Sequence, residues 1–246
     1  AQSRAFAALL IAKNPGLEIE ELQLVTSGDK FLQDRLQDIG GKGLFIKELE
    51  EALIDGRADF AVHAIKDVPA ELFAGLEIAC VPEREDPRDV LISERGLALA
   101  ELPDGAVLGT SSLRRAVNAR AVRPDLVVKP LRGNVGTRIA KVRSGEYHAT
   151  MLALAGLNRL GQAAEASQVL SVEESLPAVG QGALGIECRS GDARVVDALA
   201  RVAHEETDRC VAAERAFMAA VGGSCRLPVA AHARRGPARA TGSPTA

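Results

Sequence analysis

Lys66 and Asp67 stand side by side in the stretch Ala61-Val62-His63-Ala64-Ile65-Lys66-Asp67-Val68-Pro69, just after the apolar run Asp59-Phe60-Ala61-Val62. That run reads as a buried strand, and Pro69, which has no amide hydrogen, stops its ladder. In open α/β sheets ligands bind just past the carboxyl ends of strands. A carboxylate placed there, with a cation beside it, can handle protons and stabilise a developing positive charge. A surface ion pair capping a strand would have the same sequence, and both readings stand at this point.

Three further strand ends present arginine. Thr110-Ser111-Ser112-Leu113-Arg114-Arg115 sits where a strand over 106–109 turns into a helix. A serine there can cap the helix, leaving its first amides, its dipole and two guanidinium groups facing an anion. An ordinary capped surface helix is the alternative. Leu131-Arg132-Gly133-Asn134-Val135-Gly136-Thr137-Arg138 repeats the arrangement after a strand over 126–131, with Thr137 as the expected cap. Arg132 and Arg138 add two forks suited to carboxylate or phosphate. Ala155-Gly156-Leu157-Asn158-Arg159 repeats it again after a strand over 149–154. Arginine at three strand ends, in a chain of formal net charge −3, implies a localised basic cleft with a polyanionic ligand.

Two loops complete the set. Gly40-Gly41-Lys42-Gly43-Leu44-Phe45 is glycine-rich but lacks P-loop spacing, and reads as a mobile loop carrying a lysine. Ser224-Cys225-Arg226 follows a helix that ends at Gly222-Gly223, a pair suited to a left-handed cap. Cys225 therefore lies on an exposed turn, with Arg226 favouring its thiolate. Cys80, Cys188 and Cys210 read as inert thiols, and no metal-type spacing joins the four cysteines.

The elements that position these residues alternate between short apolar strands and amphipathic helices, which predicts an α/β fold with mainly parallel sheets. Expected strands are 17–25, 59–64, 106–109, 126–131, 149–154 and 183–188. Expected helices are 45–55, 113–122, 137–144 and a long one over about 205–221, and the chain opens with a further helical pattern. The proline- and charge-rich stretch 81–88 and the turn-rich stretch 174–182 read as crossings between two lobes, with a hinged cleft between them. The last residues, from Ala233 on, have the composition of a disordered tail.

Composition excludes several classes. At 246 residues, 47% hydrophobic and 26% charged, the chain reads as globular, with room for one large or two smaller domains. One Tyr and no Trp argue against a stacking surface for nucleic acid. No apolar run reaches the length of about 18 residues needed to span a membrane. No secretion signal is visible, and free thiols suit a cytoplasmic location.

The stretches 63–69, 40–45, 109–115, 131–138, 176–188 and 222–226 together resemble the porphobilinogen deaminase (hydroxymethylbilane synthase) family, in order, from about Gln2 to Ala231. The resemblance implies two lobes like those of periplasmic binding proteins and a small α/β third domain carrying the cysteine. On that pattern lobe one takes 1–82 and 183–200, lobe two 83–182, and the partial third domain 201–246. Cys225 would hold a dipyrromethane cofactor through a thioether. Asp67 would be the catalytic acid/base, assisting loss of ammonia from porphobilinogen and stabilising the azafulvenium cation. Lys66, Ser112, Arg114 and Arg115 match positions that hold the cofactor. Arg132, Arg138, Arg159 and the loop lysine Lys42 match positions that bind substrate or the growing chain. His63 would be a structural hydrogen-bonding residue. The implied partner is porphobilinogen acting on a monomer, with no metal, nucleic acid or membrane.

Three differences from the family pattern stand out. The family's first strand, with a Thr-Arg-x-Ser-Pro-Leu-Ala stretch, precedes the point where this sequence opens, and its third domain continues further past Cys225. Ala64 stands where serine is common. A non-enzymatic two-lobe anion-binding protein and an inactive shortened form of the enzyme are the competing expectations.

Overall fold

The computed structural model describes residues 2–24, 46–69, 72–222 and 228–236. Two sheets organise them. Strands β1 (Phe60–Ala64), β2 (Leu76–Cys80) and β8 (Leu184–Arg189) form one, in the order β1-β8-β2. Strands β3 (Asp89–Ser93), β4 (Val107–Gly109), β5 (Val127–Lys129), β6 (Ala149–Ala153) and β7 (Gln168–Val169) form the other, in the order β5-β4-β6-β3-β7. Helices α1 (Gln2–Lys13), α2 (Lys47–Ile54) and α6 (Ala193–Ala200) flank the first sheet, and α3 (Leu113–Val122), α4 (Val135–Arg143) and α5 (Leu154–Arg159) belong to the second. A last helix, α7 (Glu205–Ala220), follows.

Each sheet has its own core. Phe6 and Leu10 of α1 pack with Ile186 and Cys188 of β8 and with Val195 and Leu199 of α6. Leu91, Leu108, Ala149 and Met151 centre the other lobe, with Leu131, Ile139, Val142 and Leu157 on its opposite face. Residues 81–88 lead from the first sheet to the second, and the segment between β7 and β8 leads back.

The expectation of mainly parallel sheets is corrected. Both pairings of the three-stranded sheet are antiparallel, as are β3 with β6 and β3 with β7. Among the described strands only β4 with β5 and β4 with β6 run parallel. The cause is the double crossing: β8 returns from the other lobe and enters between β1 and β2 against their direction. Apolar alternation within a strand carries no record of its neighbour's direction. The strand expected over 17–25 is also absent over its described part, 17–24. Leu17 and Ile19 pack on the first core, but no ladder hydrogen bond joins this stretch to a described strand.

Three strands and two helices escaped the sequence reading: β2, β3, β7, α5 and α6. The strands are two to five residues long, and β3 follows a charged run that reads as a crossing. Among the described residues no helix is long and apolar enough to cross a membrane.

Candidate active site

The three parallel strands β5, β4 and β6 are neighbours, so their carboxyl ends open along one edge of the sheet. That edge carries the arginines. After β4, Thr110 Oγ1 accepts from the Ser112 N–H at 3.1 Å, and Ser112 caps α3 by accepting from the Arg115 N–H at 3.4 Å. Ser111 Oγ donates to Leu131 O at 3.1 Å and ties this loop to the one after β5. There the expected cap is corrected: Asn134, not Thr137, caps α4, accepting the Thr137 N–H at 2.9 Å, and the helix opens at Val135. Asn134 stands just before the first helical residue, so its side-chain oxygen meets the third helical amide, which is that of Thr137 itself. After β6 the chain enters α5 directly, with Arg159 in its last turn.

Arg114 and Arg115 turn inward rather than toward solvent. Both converge on Asp89, the first residue of β3, which is fully buried. Arg114 donates to its two oxygens at 2.6 and 3.2 Å, and Arg115 donates twice to Oδ1 at 3.0 and 2.8 Å. Ser175 Oγ and Gln181 Nε2 donate to the same carboxylate at 2.9 and 3.0 Å. Burial would push the Asp89 carboxyl up. The charge of Arg115, the hydrogen bond and charge of Arg114 and the bond from Gln181 outweigh it and hold the group well below the usual carboxylate range. Sequence reasoning missed Asp89, whose only signal is an acidic residue opening an otherwise apolar strand.

Across from this network, β1 ends and Ile65–Asp67 make a 3-10 turn. The Ile65 N–H donates to Ala183 O at 3.1 Å, and Ile65 packs so closely on Gly180 and Gly185 that a Cβ at either would collide with it. Asp67 on this turn is exposed and Lys66 half-buried. Burial pushes the Lys66 ammonium down; Asp67 and Asp89 oppose that, while Arg115 and Arg114 add to it. Lys66 therefore shares one electrostatic environment with the arginines of the other sheet.

Arg138 joins them. Its Nε donates to Gly133 O at 2.7 Å, and burial together with the charge of Arg115 lowers its pKa. Arg159 donates to Gly182 O at 2.6 Å, and burial again lowers its pKa against the opposing charge of Glu85. No described carboxylate lies within ion-pair distance of Lys66, Arg138 or Arg159. Arg132 is half-buried in the loop after β5. Lys42 and Cys225 lie outside the described residues. His63 is buried and hydrogen-bonded through Nε2 to Glu187 at 2.8 Å, a pairing within the first sheet.

The hinge is tied by α7. Glu214, buried, accepts from Arg84 of the first crossing at 2.6 and 3.2 Å and from the Gly180 N–H of the second at 2.7 Å. It also accepts the Ala233 N–H at 2.9 Å, so the residue expected to begin a disordered tail is anchored. The helix ends as its glycine predicts, with Gly222 at φ 60° and its N–H on Ala219 O. Cys80 and Cys188 lie in the first core; burial raises their thiols to about 12 and about 11.

A family model described as "Porphobilinogen deaminase, dipyromethane cofactor binding domain" matches residues 1–197. The chain belongs to the porphobilinogen deaminase family. That family's C-terminal domain matches residues 209–239. The porphobilinogen deaminase of Sorangium cellulosum is 65% identical over 235 residues, 96% of this chain and 78% of that one. That of Bordetella parapertussis is 54% identical over 226 residues, 92% of this chain and 72% of that one. Among solved structures, a double mutant of the Bordetella pertussis BvgS VFT2 domain aligns over 88% of this chain and 83% of that one, at 16% identity and a TM-score of 0.48.

The residues present fit the dipyrromethane group of the porphobilinogen deaminase family. Its pyrrole rings carry acidic side chains. Asp67 acts on Lys66, and Asp89 acts on Lys66 and pairs with Arg114 and Arg115, while no described carboxylate pairs with Arg138, which leaves an excess of positive charge at the strand ends. Carboxylates brought there would compensate Lys66 and Arg138, which the described residues leave without a paired acid, whereas Arg114 and Arg115 are paired with Asp89.

Proposed function

We infer that the chain condenses four molecules of porphobilinogen, with loss of ammonia at each step, onto a covalently held dipyrromethane, and releases hydroxymethylbilane by hydrolysis. This is the porphobilinogen deaminase reaction of tetrapyrrole biosynthesis, a transferase activity. The observation that carries the reading is the exposed Asp67 beside a cation cluster with too few acids, in a chain that matches the family over residues 1–197.

Cys225, five positions beyond the last residue of α7, would form the thioether to the dipyrromethane. Lys66, Ser112, Arg114 and Arg115 would hold its acidic side chains. When bound, the group supplies the nucleophilic ring carbon to which units are joined. Arg132, Arg138 and Arg159, with Lys42, orient the acetate and propionate of incoming substrate by charge-assisted hydrogen bonds. Asp67 does the proton work. Its carboxylate holds the N–H of the substrate's ammonium as the carbon–nitrogen bond breaks, faces the positive charge left on the ring, and takes the ring proton after each carbon–carbon bond forms.

The division into lobes 1–82 with 183–200 and 83–182, and a third unit 201–246, follows the two sheets and the helix that ties their crossings. A cytoplasmic monomer fits a chain whose substrate is a soluble small molecule. The test is incubation of the purified protein with porphobilinogen. Release of four ammonia per hydroxymethylbilane is expected. Binding of porphobilinogen without ammonia release would make the chain a two-lobe binding protein instead.

A further inference from the structure

We propose that Arg215 is a positioning residue for the turn that carries Asp67, an inference that rests on the reading of Asp67 as the catalytic group. Arg215 lies on α7, and its Nη1 and Nη2 donate to Val68 O and Pro69 O at 3.3 and 2.8 Å. These are the two carbonyls that directly follow Asp67. Val68 is buried and Pro69 half-buried, so their oxygens need partners from within the protein. A planar guanidinium spans two consecutive carbonyls, whereas a lysine ammonium is a point donor. Arg215 is half-buried, and that burial lowers its pKa.

The other end of the turn is fixed by the lobe itself, through the bond from the Ile65 N–H to Ala183 O and the packing of Ile65 on Gly180 and Gly185. The 3-10 turn is therefore suspended between β8 and α7. The helix is itself immobilised next door: Glu214, the preceding residue, grips Arg84 and the Gly180 N–H of the two crossings. One helix thus spans from the hinge to the turn that bears Asp67, and its chain continues toward Cys225. Asp67 is exposed and points its carboxylate from a three-residue turn, so the direction of that carboxylate depends on the backbone at 67–69.

The experiment compares the full-length Arg215→Gln, Arg215→Lys and Asp67→Asn variants with wild type. A misplacement of roughly 1 Å costs about 100-fold in rate, so Arg215→Gln is expected to lower kcat by about that factor. KM stays within about twofold, because the groups that bind carboxylate are untouched. Arg215→Lys regains one carbonyl and recovers part of kcat. Amide exchange over residues 61–69 rises in both variants, most in Arg215→Gln. Unchanged kcat and exchange in Arg215→Lys and Arg215→Gln, with Asp67→Asn inactive, would overturn the inference alone. A raised KM at unchanged kcat would overturn it too, by making Arg215 a substrate ligand. An active Asp67→Asn would instead sink the reading of Asp67. If Arg215→Gln does not fold, Arg215→Lys alone decides between these outcomes.

Discussion

Asp67→Asn lowers turnover by a factor on the order of 100 to 10,000, the usual worth of a positioned acid/base. The amide keeps the size of the side chain but neither accepts the ring proton nor faces the developing cation with a charge. Anion binding survives, because Arg138, Arg159 and the Arg114–Arg115 pair are anchored by bonds that do not involve Asp67. Lys66 responds as well. Asp67 is the largest influence holding its ammonium up against burial, so the substitution moves the Lys66 pKa further down. Steady-state kinetics with porphobilinogen check both points: kcat collapses while the concentration for half-saturation changes little. Turnover within twofold of wild type would remove Asp67 from the mechanism.

Asp89→Asn has the largest expected effect on stability. It leaves two buried guanidinium groups with no acid, and breaking a buried pair in this way costs about 3–5 kcal/mol. Against a total of about 5–15 kcal/mol for a typical domain, that is a large share. The dependence on pH has a definite sign. The Asp89 carboxyl is held below its ordinary value in the fold, so its contribution is complete above the ordinary carboxylate pKa and is lost as the pH falls through the folded value. The stability gap between wild type and Asp89→Asn is therefore full at neutral pH and narrows below about pH 4. Denaturant unfolding of both proteins across that range measures it. A gap under about 1 kcal/mol at pH 7 would mean that the arginines relax to solvent and the network is not a buried one. Activity falls with stability here, since the carboxylate that pairs Arg114 and Arg115 also aims them.

Much of the site was legible because its chemistry is local. The serine before α3 caps it, the helix runs over the expected residues 113–122, and the strand before Lys66 and Asp67 ends at Ala64 as expected. What stayed hidden depends on contacts made far along the chain. Asp89 meets Arg114 at a separation of 25 residues, Arg84 meets Glu214 at 130, and Arg215 meets Pro69 at 146. No spacing rule encodes such pairings. Arg114 and Arg115 illustrate the consequence: their position after a strand is readable, but their commitment to an internal carboxylate is not. Strand direction was hidden for a related reason. The strands whose parallel arrangement was anticipated correctly, β4, β5 and β6, are joined by helices that follow β4 and β5 after short loops. The antiparallel members arise from the chain's return through the second crossing. The cap of α4 moved by three residues, because Asn134 and Thr137 both have cap chemistry and only the backbone decides between them.

The proposed function requires this chain to carry a primer of its own making on Cys225. The most direct measurement is the denatured intact mass of the protein expressed in a cytosol that makes porphobilinogen, beside Cys225→Ser. The account predicts wild type heavier by two pyrrole units and Cys225→Ser at its bare mass. A bare wild-type mass, or the same adduct on both proteins, would contradict it.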